Sequence, residues 1–185
     1  MFTLETERLV LRDFVPGDFD AFYATTQDPE YRRFYAEAEM TRAFWRDLLD
    51  RIIAGAAASP RTAYQLAICL PGGELIGTCG VRLESAEQRQ ASFGCAIARA
   101  HWGRGYALEA SRRIIDYGFA NLPIHRLYAE VIAENSRARA LAERLGLRLE
   151  GELRHTRYFR GRWWNTAIYG ILEGEWRRIQ PSLSL

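Results

Sequence analysis

Nine residues, Arg99-Ala100-His101-Trp102-Gly103-Arg104-Gly105-Tyr106-Ala107, constrain this 185-residue chain more than any others. An apolar run, Phe93 to Ala98, leads into them, and a helical pattern, Leu108 to Asn121, follows. A strand that enters a helix through a glycine turn makes an anion site. The first helical N–H groups have no partner within the helix, and the helix dipole places partial positive charge there. Gly103 and Gly105 lack Cβ, so a ligand can approach the backbone closely. The stretch therefore reads as a seat for a phosphate or pyrophosphate. A Walker loop is excluded, because all 25 basic residues are arginine and that loop needs a lysine. The same absence excludes a lysine Schiff base. A dinucleotide fingerprint fares poorly too. Leu108 fills its third small position, and the region that should supply an acidic residue reads Pro123-Ile124-His125-Arg126.

Composition limits the setting. A hydrophobic content of 48% supplies a full core, and the length suits a single domain over 1–185. The net charge of +2 gives no reason to expect nucleic acid or an anionic membrane as partner. Cys69, Cys79 and Cys95 lie in apolar runs without metal-ligand spacing, so they read as small core residues in a reducing compartment, with no metal site. Early charges at Glu5, Glu7 and Arg8 argue against a signal peptide, and no apolar run approaches the roughly 20 residues that cross a bilayer. The expected location is the cytoplasm.

Along the chain, Leu4 to Phe14 reads as a first strand, and Asp18 as the cap of a short helix carrying Phe19, Phe22 and Tyr23. Thr41 caps a second helix, whose apolar face is Phe44, Trp45, Leu48, Leu49, Ile52 and Ile53. Tyr64–Leu70 and Leu75–Leu83 form a hairpin about Pro71-Gly72-Gly73-Glu74, and Gly77 and Gly80 suggest bends or close backbone approach. A polar loop, Glu84 to Gln90, leads to the strand Ser92–Ala98. On the helix after the glycine turn, Arg112, Arg113 and Asp116 should face water. Arg126 to Ile132 is the next strand, parallel to 92–98 through a right-handed crossover. Asn135 caps another helix, and Leu147–Phe159 and Trp163–Leu172 make a second hairpin. The tail from Glu175 reads as short and polar. The order predicts a mixed α/β (α+β) fold with helices on the faces of one sheet.

At this point the residues carry a resemblance. Trp102-Gly103-Arg104-Gly105-Tyr106-Ala107-Leu108-Glu109-Ala110 resembles the acyl-CoA-binding motif of the GNAT superfamily of N-acetyltransferases. Gly105 and Ala107 fill its small positions, and Trp102 stands where Gln or Arg is commoner. Glu5 to Arg12, Asn135 with Leu145-Gly146-Leu147 and Glu150-Gly151, and Gly161 to Asn165 with Tyr169 are similar to the branch of the ribosomal-protein alanine N-acetyltransferases. The resemblance implies a twisted, mostly antiparallel sheet whose central parallel pair splays apart. It implies that acetyl-CoA is the co-substrate. Its pyrophosphate would lie on the amides of Gly103, Arg104, Gly105, Tyr106 and Ala107, with Trp102 also at the cofactor, and its pantetheine arm along Ile97 and Ala98, with Asn135 bonding the arm. It also implies direct acetyl transfer to a primary amine, on a protein N-terminus or a small molecule, by a monomer or homodimer.

Transfer to an amine needs a base for the ammonium, a donor to the thioester carbonyl and a proton for the leaving thiolate. Ala138 and Ala142 occupy positions where relatives carry serine or tyrosine, so the thiolate's proton donor is not carried over. Glu130 alternates with Tyr128 and Ile132 and is the leading candidate base. Glu134, Glu84, His101 and a water relay compete with it, while His125 and His155 read as structural or surface residues. Tyr158, Phe159, Trp163 and Trp164 read as half core and half exposed patch. Two other readings stay open: a catalytically weak acyl-CoA-binding or sensing domain, and transfer of a different acyl group.

Overall fold

In a computed structural model, residues 1–179 are described, and they build one eight-stranded sheet with helices on both faces. The strands are β1 (Thr3–Glu5), β2 (Val10–Asp13), β3 (Ala63–Cys69), β4 (Leu75–Ser85), β5 (Gln90–Ile97), β6 (Arg126–Ile132), β7 (Arg148–Phe159) and β8 (Arg162–Leu172). The helices are α1 (Phe19–Thr25), α2 (Pro29–Arg32), α3 (Arg42–Ala56), α4 (Tyr106–Asn121), α5 (Ser136–Arg144) and α6 (Glu173–Ile179). The sheet order is β1-β2-β3-β4-β5-β6-β8-β7. Every neighbouring pair is antiparallel except β5 and β6, which are parallel and joined through α4. That is the mixed α/β sheet the residues predicted.

The alternation of side chains sorts the core into two layers. Leu66, Ile68, Cys79, Val81, Ile97, Leu127, Ala129 and Val131 point to the face covered by α4 and α5, where Ile114, Ile115 and Leu145 meet them. On the other face Ala67 and Cys69 pack under Phe22, Trp45 and Leu49 of α1 and α3. Phe159 and Trp164 stack at 4.9 Å beside Ile132, while Tyr158 and Trp163 are more than half exposed. This is the split between core and patch expected for that cluster.

Local expectations are corrected at several points. Residues 4–14 are two strands, because Thr6 turns the chain: its hydroxyl accepts from the Leu9 N–H at 2.9 Å. Asp18 does not cap α1. Its carboxylate is drawn back to Arg12 (both oxygens at 2.7 Å) and to the Val15 N–H at 2.8 Å. Strand β4 runs on to Ser85, which shortens the expected polar loop. Glu173–Ile179 is a helix, not a polar tail; residues 180–185 of that tail lie outside the described residues.

Helix α6 is held by Trp176, which is 3% exposed and stacks on Phe119. The indole Nε1–H donates to Asp116 at 2.7 Å, so Asp116 faces α6 rather than water. Burial pushes the Asp116 carboxyl above its ordinary value, and the Trp176 bond offsets only part of that rise. Trp176→Ala should lower unfolding stability by about 3–5 kcal/mol in urea titration, the usual cost of emptying a buried tryptophan site. A loss under about 1 kcal/mol would mean that α6 is not docked in solution.

Candidate active site

The glycine turn lies at the open end of the sheet, between β5 and α4. Both glycines adopt the left-handed conformation, Gly103 at φ +76° and Gly105 at φ +82°. One turn of 3-10 helix, Arg99–His101, precedes them. The backbone N–H groups of Gly103 through Leu108 have no hydrogen-bond partner among the described residues, so six donors converge near the start of a 16-residue helix.

The turn is held from the far end of the chain. Arg8 Nη1 donates to the Arg104 carbonyl at 3.0 Å, and its guanidinium lies over the Tyr106 ring at 4.9 Å. Glu109, in the first turn of α4, accepts from Arg8 Nε (2.8 Å), the Arg8 N–H (2.9 Å) and the Thr6 hydroxyl (2.6 Å). Burial pushes the Glu109 carboxyl up, but the bonds from Thr6 and Arg8 more than reverse it and leave it below its ordinary value. A carbonyl of the loop thus turns toward Arg8 and leaves the N–H side to face solvent. The Arg104 side chain itself is exposed and forms no hydrogen bond or ion pair among the described residues.

Strands β5 and β6 pair only at Gln90–Arg126, Ala91–Leu127 and Ser92–Tyr128, and then part. The Ala98 N–H donates to the Ile76 carbonyl, so by alternation the even residues of β5 bond to β4. The Cys95 N–H and carbonyl and the Ile97 N–H therefore face the gap. Trp102 Nε1–H donates to the Ile97 carbonyl at 2.6 Å, and Arg137 lies over the Trp102 indole at 4.4 Å. Ala98 brings no free main-chain group, since its carbonyl accepts from His101 N–H. Asn135 Oδ1 caps α5 by accepting from the Ala138 N–H at 3.1 Å, while the residue also lines the gap.

The gap opens into a cleft of about 1000 Å³. Its floor is Phe93, Gly94, Cys95 and Ala96 of β5 with Ala129 to Ile132 of β6. Its far wall is Phe22 of α1, Tyr31 of α2, Phe34 and Tyr35 just beyond α2, and Phe44, Trp45, Leu48 and Ile52 of α3. A side cavity of about 300 Å³ is lined by Gln65, Gly80, Arg82, Glu84, Ser92, Phe93, Gly94, Tyr128 and Glu130. Gln65, Arg82, Phe93, Gly94 and Glu130 border both spaces, so they mark the point where the strands separate. Gln65 enters over Gly80, where a Cβ would collide with its side chain and with the Tyr64 carbonyl.

Charge pairing singles out one carboxylate. Of the ionisable groups in the large cleft, Glu39 pairs with Arg157 at 2.9 Å, Arg51 with Asp47 at 3.1 Å and Arg82 with Glu84 at 3.3 Å. Among the charged side chains of that cleft, Glu130 alone has neither an ion pair nor a hydrogen bond to another side chain among the described residues. The competing bases are engaged elsewhere: Glu84 also accepts from the Ser92 hydroxyl, Glu134 pairs with Arg162, and His101 Nε2 lies 3.2 Å from Glu74. His125 and His155 are exposed. Burial holds Tyr31 well above the ordinary phenol range, so it is an O–H donor at neutral pH. Burial also pushes the Cys95 thiol up to about 11, so the thiol at the cleft floor is no ready nucleophile.

The family model described as an acetyltransferase (GNAT) domain matches residues 8–148. The chain belongs to the GNAT acetyltransferase family. This acetyltransferase is 32% identical over 177 residues to the uncharacterised N-acetyltransferase p20 of Bacillus licheniformis, covering 95% of this chain and 99% of that one. It is 36% identical over 88 residues to the spermidine N(1)-acetyltransferase of Escherichia coli, a match that covers 48% of this chain and 47% of that one. Among solved structures it superposes on the microcin C7 self-immunity acetyltransferase MccE, itself in complex with acetyl-CoA and AMP, with a TM-score of 0.78. At 17% identity, over 90% of this chain and 93% of that one, that likeness is one of fold.

Of the sequence-predicted residues of this GNAT enzyme, Glu130 and Asn135 line the cleft, Ile97 ends the strand that floors it, and Ala98 and the turn from Trp102 to Ala107 follow that strand. Sequence reasoning missed Arg8, Tyr31, Tyr35, Trp45 and Gln65. Arg8 sits 101 positions from Glu109, and no local pattern joins them. Tyr31 had one signal, the Asp28-Pro29 start of α2, where Asp28 accepts from the Glu30 N–H.

Proposed function

We infer that the chain is a single N-acetyltransferase domain that uses acetyl-CoA and moves its acetyl group directly to a primary amine. The observation that carries this reading is the continuity of three parts. A six-donor amide cradle follows directly on β5, the β5 edge left by β6 carries free main-chain groups, and an unpaired carboxylate lies across the gap on β6. The residues fit the co-substrate. Gly103, Arg104, Gly105, Tyr106 and Ala107 offer N–H groups for a pyrophosphate. The Cys95 and Ile97 main chain offers the donors and acceptor that the amides of a pantetheine arm require. Trp102 braces the strand end, and the side-chain nitrogen of Asn135 remains for the arm.

In this reading the acceptor binds on the α1–α3 side with its ammonium at Glu130. Glu130 takes one proton from the ammonium, and the freed nitrogen attacks the thioester carbonyl carbon. The C–N bond forms and the C–S bond breaks, the sulfur leaves with the electron pair and takes up one proton, and the new amide nitrogen sheds its second proton to make that good. Tyr31 and Tyr35 are the protonated phenols that line the cleft. A main-chain N–H facing the gap stabilises the carbonyl oxygen as it gains charge. Holding both reactants in one cleft supplies much of the acceleration. The protonated state of Cys95 favours direct transfer over an acyl-cysteine. Among the described residues no helix is long and apolar enough to cross a membrane, and free thiols with acetyl-CoA suit the cytoplasm.

The test is release of free thiol from acetyl-CoA with and without an added primary amine, alongside calorimetric binding of acetyl-CoA. Amine-dependent release is expected. Binding without release under any amine would leave an acyl-CoA sensor, and tight turnover of another acyl-CoA in preference would change the donor.

A further inference from the structure

Helix α4 carries a carboxylate at the end that would take a phosphate. Glu109 stands in its first turn, where its charge draws on the same helix dipole as a bound anion would. Its side chain is only 18% exposed, and its contacts run to the N-terminal segment. One carboxylate oxygen, Oε1, accepts from the Thr6 hydroxyl at 2.6 Å and from the Arg8 N–H at 2.9 Å. The other, Oε2, accepts from Arg8 Nε at 2.8 Å and lies 2.6 Å from Arg8 Nη2. A planar guanidinium gripped on that side has one direction left for Nη1, and Nη1 donates to the Arg104 carbonyl at 3.0 Å.

The Arg104 carbonyl shares a planar trans peptide with the Gly105 N–H, so the two point in opposite directions. Local geometry does not decide which of them faces the ligand side. Glycine accepts either sign of φ, so this peptide can turn over by changing only ψ of Arg104 and φ of Gly105. The bond from the Glu109 N–H to the Gly105 carbonyl, 3.1 Å, belongs to the next peptide unit and survives such a turn. Turned over, the peptide would put a carbonyl oxygen in place of one donor of the cradle, and a carbonyl oxygen repels an anion. The bond from Arg8 Nη1 selects the orientation in which Gly105 donates. Its guanidinium is close enough that a Cβ on Gly105 would lie 3.3 Å from Nη2.

Resting on the acetyl-CoA reading, we propose that Arg8 is a positioning residue for the co-substrate: aimed by Glu109, it holds the Arg104–Gly105 peptide with its N–H toward the pyrophosphate. The ion pair also neutralises the one carboxylate beside that anion. The role lies at the phosphate end, so its loss falls on binding and not on the chemical step.

The experiment measures calorimetric binding of acetyl-CoA, and thiol release from acetyl-CoA and from S-acetylpantetheine, which lacks the phosphates. Arg8→Gln should raise the acetyl-CoA Kd by about 10- to 100-fold, the value of a hydrogen bond from a charged donor. KM for acetyl-CoA should rise by the same factor, while kcat and the turnover of S-acetylpantetheine stay within about twofold. A Kd within about twofold of the wild type overturns the proposal. So does an equal loss with both donors, which marks a general structural role. Glu109→Gln gives the sharper sign. Removing a negative charge beside an anion site should by itself tighten binding, whereas a guanidinium released from its aim should weaken it, here by at least about threefold. Equal or tighter binding in Glu109→Gln overturns the proposal, and this variant decides alone should Arg8→Gln not fold. Failure of the underlying reading looks different. A wild type that binds no acetyl-CoA removes the co-substrate and the role of Arg8 together. A wild type that binds it but releases thiol with no amine removes the transferase reading, and the Kd values still decide the role of Arg8.

Discussion

Gly105→Arg is expected to abolish measurable acetyl-CoA binding while the protein stays folded. Gly105 sits at φ +82°, and a Cβ there would lie 3.3 Å from Arg8 Nη2. The left-handed backbone costs a residue with Cβ about 1–2 kcal/mol, or a fall of about 2–8 °C in Tm for a chain of this size. The loss of affinity should be far larger. The new side chain enters the amide cradle and pushes against Arg8, which turns the Arg104 carbonyl away from the ligand side. A misplacement of about 1 Å is enough to cost about 100-fold, and here donors are covered as well as moved. Calorimetry should give a Kd raised by at least about 100-fold, with urea unfolding still cooperative. Gly103→Ala separates the two effects, because that turn position at φ +76° has open space around it. It carries the strain without the blockage, so its binding should weaken much less. Wild-type affinity in Gly105→Arg would remove the cradle from the functional site.

The parts of this site that could be read from the sequence are those made by neighbours in the chain. The glycine turn, the entering strand and the helix lie within 30 residues, and local geometry suffices to make an anion seat of them. The side of β6 on which Glu130 lies also follows from simple alternation with Tyr128 and Ile132. The separation of β5 from β6 is different. Nothing in Gln90–Ile97 or Arg126–Ile132 says that pairing should stop at Ser92–Tyr128, and only the family resemblance anticipated it. The acceptor wall was invisible for a related reason. Phe22, Tyr31 and Trp45 look like the apolar faces of amphipathic helices, which they are, and the part of that layer left open as a cleft depends on a sheet built 50 to 110 residues later. The misread polar residues found partners that the local reading did not count. Asp18 and Asp116 read as cap and solvent, and a backward partner and a distant one outcompeted those roles, while Thr6 read as strand and instead turns the chain by accepting from the Leu9 N–H.

The second large effect falls on Glu130. Glu130→Gln keeps the shape of the side chain and its place on β6, but it can no longer take a proton from the acceptor ammonium. General-base catalysis is worth about 100- to 10,000-fold, so kcat with the best acceptor should fall by at least about 100-fold. Acetyl-CoA affinity should stay within about twofold, because the amide cradle and the β5 edge are formed by other residues. That split separates a base from a residue that merely supports the fold, which would lower both. Glu84→Gln is the paired measurement. Glu84 borders only the side cavity and already accepts from Ser92 and Arg82, so its loss should cost less than about tenfold. The reverse ranking would move the base to the side cavity and make Glu130 a binding residue for the ammonium. Retention of the rate in both variants would mean that water carries the proton straight to solvent, and that the free carboxylate at the parting of β5 and β6 serves only to attract the amine.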